Sequence, residues 1–126
     1  MIDLETLGLN AQAPITQVGV VMFNRDKIIE SRNFVVDFEE AFKDGVPDAS
    51  TVKWWIMQDK EAKELAMTGK AKPVNAAHDV ASFISLHGPD HFWAHATFDF
   101  PIIQSWFDRL GISKAKSPID FRKCIS

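Results

Sequence analysis

The sequence predicts an α/β domain: a mixed sheet of antiparallel hairpin strands plus parallel strands, flanked by helices. Two apolar, β-branched runs joined by a short polar link open the chain as a hairpin does. Beyond Asp48 the apolar period lengthens to helical spacing, and short strand candidates recur between the helical segments. Strands first, then helix and strand in alternation, describe a sheet that buries its faces under helices. The 126 residues and 14.2 kDa suit one domain over residues 1–126, which should bury about two-thirds of its unfolded surface.

Met1 to Thr6 is a short extended run, and the turn-rich stretch Leu7 to Pro14 follows it. Ile15 to Phe23 is rich in Val and Ile and has the length of a buried strand. Asn24-Arg25-Asp26-Lys27 is a polar turn, after which Ile28 to Asp37 resumes strand character with Phe34-Val35-Val36. Asp48 or Ser50 can cap a helix carrying Val52, Trp55 and Ile56. Lys60 to Met67 is a second helix stopped by Gly69, and Pro73 to Leu86 a third, closed by Gly88-Pro89. His91 to His95 reads as a short strand. Ile102, Ile103, Trp106, Phe107 and Leu110 form the cleanest amphipathic stripe, ended by Gly111, and Ile119 to Ile125 reads as one more strand.

Composition narrows the function classes. Apolar residues at 46% and charged residues at 25% are usual for a soluble globular protein. The longest apolar stretch, Val18 to Phe23, falls far short of the roughly 20 residues of a membrane span, so no membrane partner is expected. Met1-Ile2-Asp3 has neither a basic start nor an apolar leader. The single cysteine, Cys124, excludes an internal disulfide framework and a CxxC metal site, which fits a reducing, cytoplasmic setting; it is expected to be buried and inert. A net charge of −3 argues against duplex binding by charge alone. It leaves room for a nucleic-acid enzyme whose bound metal ions supply the positive charge.

Two groups of carboxylates can carry such chemistry. Asp3 and Glu5 are two apart in an extended segment, so both point to one face with Cα atoms about 6.5–7 Å apart. Two such acids repel unless a cation lies between them, and Mg²⁺ takes oxygen ligands at about 2.0–2.1 Å. Taken alone, the pair is also what a solvated strand end looks like. Asp99 follows the strand candidate ending at His95 and opens a helix with Pro101 in its first turn; alone, it is also an ordinary N-cap. Together, three carboxylates at neighbouring strand ends would bind two divalent ions about 3.5–4 Å apart and support in-line displacement at phosphorus.

The segments Ile2-Asp3-Leu4-Glu5-Thr6-Leu7-Gly8 and Trp93-Ala94-His95-Ala96-Thr97-Phe98-Asp99 resemble the first and second motifs of the DEDD-type 3′–5′ exonucleases. More narrowly they resemble the small ribonuclease T-like members common in prophages and bacteria. Thr51 to Gln58 is similar to that group's helix after the hairpin, and the resemblance runs along essentially the whole chain in the right order. It implies a ribonuclease H-like fold and hydrolysis of single-stranded RNA or DNA from the 3′ end with two Mg²⁺ or Mn²⁺ ions. Asp3 and Glu5 would hold the first ion, with Asp3 bridging to the second and Asp99 serving the second. The family grips the 3′-terminal nucleotide in the loop after these acids, here Thr6 and Leu7, by backbone contacts and an apolar wedge. Phe98 would offer a base a stacking face or pack in the core. His95 would act as a ligand or substitute base, or as a hydrogen-bonded structural residue.

The family's third motif, a helical His-x4-Asp that supplies the general base and the last metal ligand, has no counterpart. His78, His87, His91 and His95 all lack an Asp five positions on. Losing a positioned base typically costs about 10²–10⁴-fold in rate. The chain is therefore expected to lack the family's C-terminal helices, either as a truncated piece or as a catalytically impaired remnant that binds nucleic acid or protein. Small-molecule phosphoester hydrolysis is a third reading. The missing helices would uncover part of the sheet and favour a homodimer. Trp54 and Trp55 divide between core and partial exposure or line a substrate groove. Lys60, Lys63, Lys70 and Lys72 form a solvated face or steer phosphate.

Overall fold

The computed structural model describes residues 1–95, 97–113 and 116–125, apart from the Phe121 side chain. β1 (Ile2–Thr6), β2 (Ile15–Phe23) and β3 (Ile28–Val35) form an antiparallel sheet in that order. Four helices follow: α1 (Phe38–Lys43), α2 (Ala49–Ile56), α3 (Lys60–Met67) and α4 (Pro73–His87). After them come β4 (Phe92–Trp93), α5 (Asp99–Arg109), a 3-10 turn (Phe121–Lys123) and β5 (Cys124–Ile125), with β4 and β5 paired in parallel.

Local chemistry explains most of these elements. The hairpin between β2 and β3 is tied by Asn24, whose Oδ1 accepts the N–H groups of Asp26 and Lys27. Helix α4 begins with Pro73, where a missing N–H is harmless, and ends on Gly88 at φ 51°. Helix α1 is an element the apolar pattern does not announce. It starts because the Asp37 carboxylate accepts the N–H of Glu40 (3.0 Å), the Asp-x-x-Glu arrangement of a capped N-terminus.

Alternation along the strands gives the sheet two unlike faces. Ile2 and Leu4 stand opposite Val20 and Val18, and Phe34 joins them from β3. Helix α4 covers this face: Phe34 meets Phe83 edge to face, with centroids 5.8 Å apart, and Ala77, Val80 and Ile84 are buried beside them. Asp3 and Glu5 point to the other face, opposite Gly19 and Gln17. Helix α5 buries Ile102, Ile103, Trp106 and Phe107. Its far end is pinned by Arg109, which donates to Asp44 Oδ2, Ser105 Oγ and Ala13 O, each at 3.1 Å.

The expected continuous mixed sheet is divided. Among the described residues β1 makes no ladder with β4, and the strands expected over His91–His95 and Ile119–Ile125 shrink to two residues each. The register gives the reason. Met1 exchanges both backbone hydrogen bonds with Val21, so the N–H and C=O groups of Ile2, Leu4 and Thr6 face away from β2. Side chains meet two of them: the Asp99 carboxyl faces the Leu4 N–H, and the Trp55 indole donates to Thr6 O at 3.0 Å.

Candidate active site

Asp99 is the first residue of α5, not its cap, and it is only 5% exposed. Its Oδ2 accepts the N–H of His95 at 2.9 Å, which closes the turn between β4 and α5. Its Oδ1 is buried with no hydrogen-bond partner; the Leu4 N–H faces the group without reaching full bonding geometry. Asp3 is exposed and Glu5 half-buried on β1.

The three acids feel one another. Burial raises Glu5 above the usual carboxylate range, and the charges of Asp3 and then Asp99 raise it further. Burial likewise raises Asp99, with Asp3 adding to the effect, while the His95 and Leu4 N–H groups oppose it. The structure thus brings together two far-separated stretches of chain as one acidic locus. As they stand, no three His, Cys, Asp or Glu side chains among the described residues close into a group that could hold a metal ion.

Beside Glu5 lies a cavity of about 420 Å³, lined by Leu4, Glu5, Thr6, Leu9, Ser50, Thr51, Trp54, Trp55 and Phe98. Trp54 is 55% exposed and meets half-buried Trp55 edge to face, centroids 5.3 Å apart, so neither ring belongs to the core. Phe98 is half-buried and faces the cavity. Thr6 also lines it, but its hydroxyl is spent on Gly8 O at 2.7 Å.

Leu7 corrects the expectation of an apolar wedge at that position. Its side chain is 1% exposed, its N–H donates to Pro14 O and its C=O accepts from Asp48 N–H. Leu9, two positions on, is 71% exposed and lies on the cavity wall. Its position in a turn-rich stretch was the available signal. His95 is exposed and does not line this cavity; its Nδ1 lies 3.1 Å from Thr97 Oγ1. Cys124 is half-buried, and burial, with Asp120 adding, pushes its thiol up to about 11, which leaves it unreactive at neutral pH.

The sequence profile of the 3′–5′ exoribonuclease Rv2179c-like domain matches residues 1–124. The chain belongs to this family. No curated protein matches it. The Rv2179c-like match takes in β1, the 420 Å³ cavity and α5, so both acidic stretches lie inside it. It supports a nuclease, a hydrolase of the exonuclease kind. Among the described residues no helix is long and apolar enough to cross a membrane.

Proposed function

We propose that this Rv2179c-like domain is a metal-dependent exonuclease of the DEDD type. It would remove nucleotides from the 3′ end of single-stranded nucleic acid, RNA foremost, on a ribonuclease H-like fold. The observation that carries the reading is Asp99: a buried carboxylate with one unpartnered oxygen, raised by the charge of Asp3 and itself raising Glu5. The donor set is all oxygen, which suits Mg²⁺ or Mn²⁺, and a cation would relieve the repulsion that raises Glu5 and Asp99. Asp3, Glu5 and Asp99 would hold two such ions. Such ions, held by these residues, would supply charge stabilisation at the phosphoryl group and an acidified water.

The chain's own residues do the binding. The wall of Leu9, Trp54 and Phe98 would receive the terminal base, each stacked base contributing about 1–3 kcal/mol. In the reaction the oxygen of water would bond to phosphorus as the P–O3′ bond breaks and a proton passes from the water to the departing O3′, releasing a nucleoside 5′-monophosphate and leaving the penultimate nucleotide with a free 3′ hydroxyl. The same reading takes the protein as a cytoplasmic homodimer, joined through apolar surface such as Ile28, Ile29 and Leu86; light scattering at micromolar concentration tests that part.

The activity is tested with 5′-labelled single-stranded RNA and Mn²⁺. Shortening from the 3′ end, lost in Asp3→Ala, is expected; cleavage unchanged by that substitution overturns the reading. A second reading, a binding module without turnover, is favoured by an aromatic wall that is in place while the acids are not closed into a group. It predicts retardation of the intact strand in the same gel.

A further inference from the structure

Asp48 stands at the N-cap position of α2, yet its side chain caps nothing in that helix. Its Oδ2 instead accepts the N–H of Leu9 at 2.7 Å, across 39 positions of chain, while its own N–H donates to Leu7 O at 2.8 Å. Two more bonds extend the seam: Asn10 Nδ2 to Val46 O at 3.0 Å and Val46 N–H to Gln12 O at 2.8 Å. Gly8 sits against this carboxylate, where a Cβ would come within 3.2 Å of Oδ2. Seven residues further on, Trp55 binds the same loop at Thr6 O.

We infer that Asp48 is a positioning residue that holds Leu9 away from Trp54 and so keeps the cavity beside Glu5 open for a 3′-terminal base. The inference rests on the proposed nuclease reading and deepens it. An apolar side chain as exposed as Leu9, on a loop free to move, would fold onto the neighbouring aromatic rings and fill the space a base needs. Asp48 prevents this through one charge-assisted bond to the Leu9 backbone, made before any ligand arrives. The slot is thus pre-organised, and the opening cost is met in folding instead of in binding. The carboxylate gives up its local capping role for a contact with the loop, which a purely helical function would not require.

The test measures binding of a short 5′-fluorescein-labelled single-stranded RNA with a free 3′ hydroxyl, by anisotropy. Ca²⁺ replaces Mn²⁺, and the temperature is one at which each variant is fully folded by circular dichroism. Asp48→Ala is expected to weaken binding about tenfold, while Asp48→Asn, whose amide oxygen can accept the same N–H, stays within about threefold of the unaltered protein. Where Mn²⁺ supports cleavage, the loss falls on KM with kcat changed less than about twofold. Equal binding by Asp48→Ala overturns the inference, as does an Asp48→Asn as weak as Asp48→Ala. Should Asp48→Ala not fold, Asp48→Glu decides: its longer arm displaces Leu9, and unchanged binding overturns the inference. RNA binding absent from the unaltered protein overturns the nuclease reading too, whereas binding that Asp48 variants leave untouched overturns this inference alone.

Discussion

The two ends of β1 each border a cavity, and the two cavities are nearly equal in size. One of about 420 Å³ adjoins Glu5, and one of about 440 Å³ lies at the other end, among Met1, Ile2, His87, Gly88, Phe92 and Trp93. Their volumes do not distinguish them; the state of their charged groups does. At the far end burial lowers the pKa of the Met1 ammonium, which still donates to Val21 O at 2.8 Å. His87 there has both ring nitrogens partnered, to Phe83 O and the Glu30 carboxylate, each at 2.9 Å, and Asp90 and His91 are exposed. At the Glu5 end buried Asp99 and half-buried Glu5 are both pushed above their ordinary range, and one Asp99 oxygen is left without a hydrogen-bond partner. A fold tolerates such an arrangement where a ligand completes it, which makes buried, unsettled charge the better guide to a site than space alone.

Substitution of the acids on the two sides should separate them most strongly. Asp99→Ala is expected to reduce 3′ cleavage of RNA by more than the roughly 10–100-fold typical of a residue that only supports a metal ligand. Asp90→Ala and His91→Ala should leave the rate within about twofold. Loss of activity in all three variants would erase the contrast. The aromatic residues give the next largest difference. Trp54→Ala should weaken RNA binding by about 1–3 kcal/mol, the contribution of one stacked base. Trp93→Ala, which removes a 43% exposed ring from the far cavity, should leave anisotropy titrations unchanged.

The same contrast explains what the sequence made legible. The carboxylate positions could be read because two-residue alternation fixes the face of Asp3 and Glu5, and a helix start fixes Asp99. Strand β2 and helix α3 have the boundaries that the apolar period predicts, since both rest on local preference. What could not be read depends on partners far away in the chain. Asp48 reads as a cap, and only the fold brings the Leu9 N–H to it. Leu7 and Leu9 are equivalent as letters; the turn closed by Thr6 and Pro14 sends one inward and the other out. The strands expected over His91–His95 and Ile119–Ile125 shrank to β4 and β5 for a related reason: their pairing is non-local, and at β1 the Asp99 carboxyl faces the Leu4 N–H while the Trp55 indole takes up Thr6 O.

Glycine substitutions probe how rigid each end is. A Cβ at Gly45 would run into the backbone at Gln12 O and Pro14 N, so the segment bonded to the Leu9 loop would have to shift. Gly45→Ala should cost about 1–3 kcal/mol by overpacking. Gly88, on the far cavity, has open space around it but a φ of 51°; Gly88→Ala should cost about 1–2 kcal/mol, through backbone strain alone. Urea titration measures both, and the Gly45 variant should also lose RNA affinity while the Gly88 variant keeps it. Equal affinity in the two would show that the loop's position does not govern binding.

The smallest expected effect is the most specific to the acidic end. Glu5 and Asp99 ionise above their ordinary range in the folded chain, for each mainly because of burial. Between the unfolded pKa, near about 4, and the raised folded value, the folded state binds more protons than the unfolded one, so stability falls as pH rises through that window. The contribution is fully present below the unfolded pKa and is gone once the folded pKa is passed. Asp99→Asn removes one of these titrations. In metal-free buffer its Tm relative to the unaltered protein should therefore climb as pH increases from about 4 and then level off. Mn²⁺ at neutral pH should raise the Tm of the unaltered protein and narrow that gap, because the cation offsets the repulsion that the asparagine has already removed. A flat difference for Asp99→Asn would mean that its carboxylate is not held against its neighbours in solution, and the contrast between the two ends would then rest on shape alone.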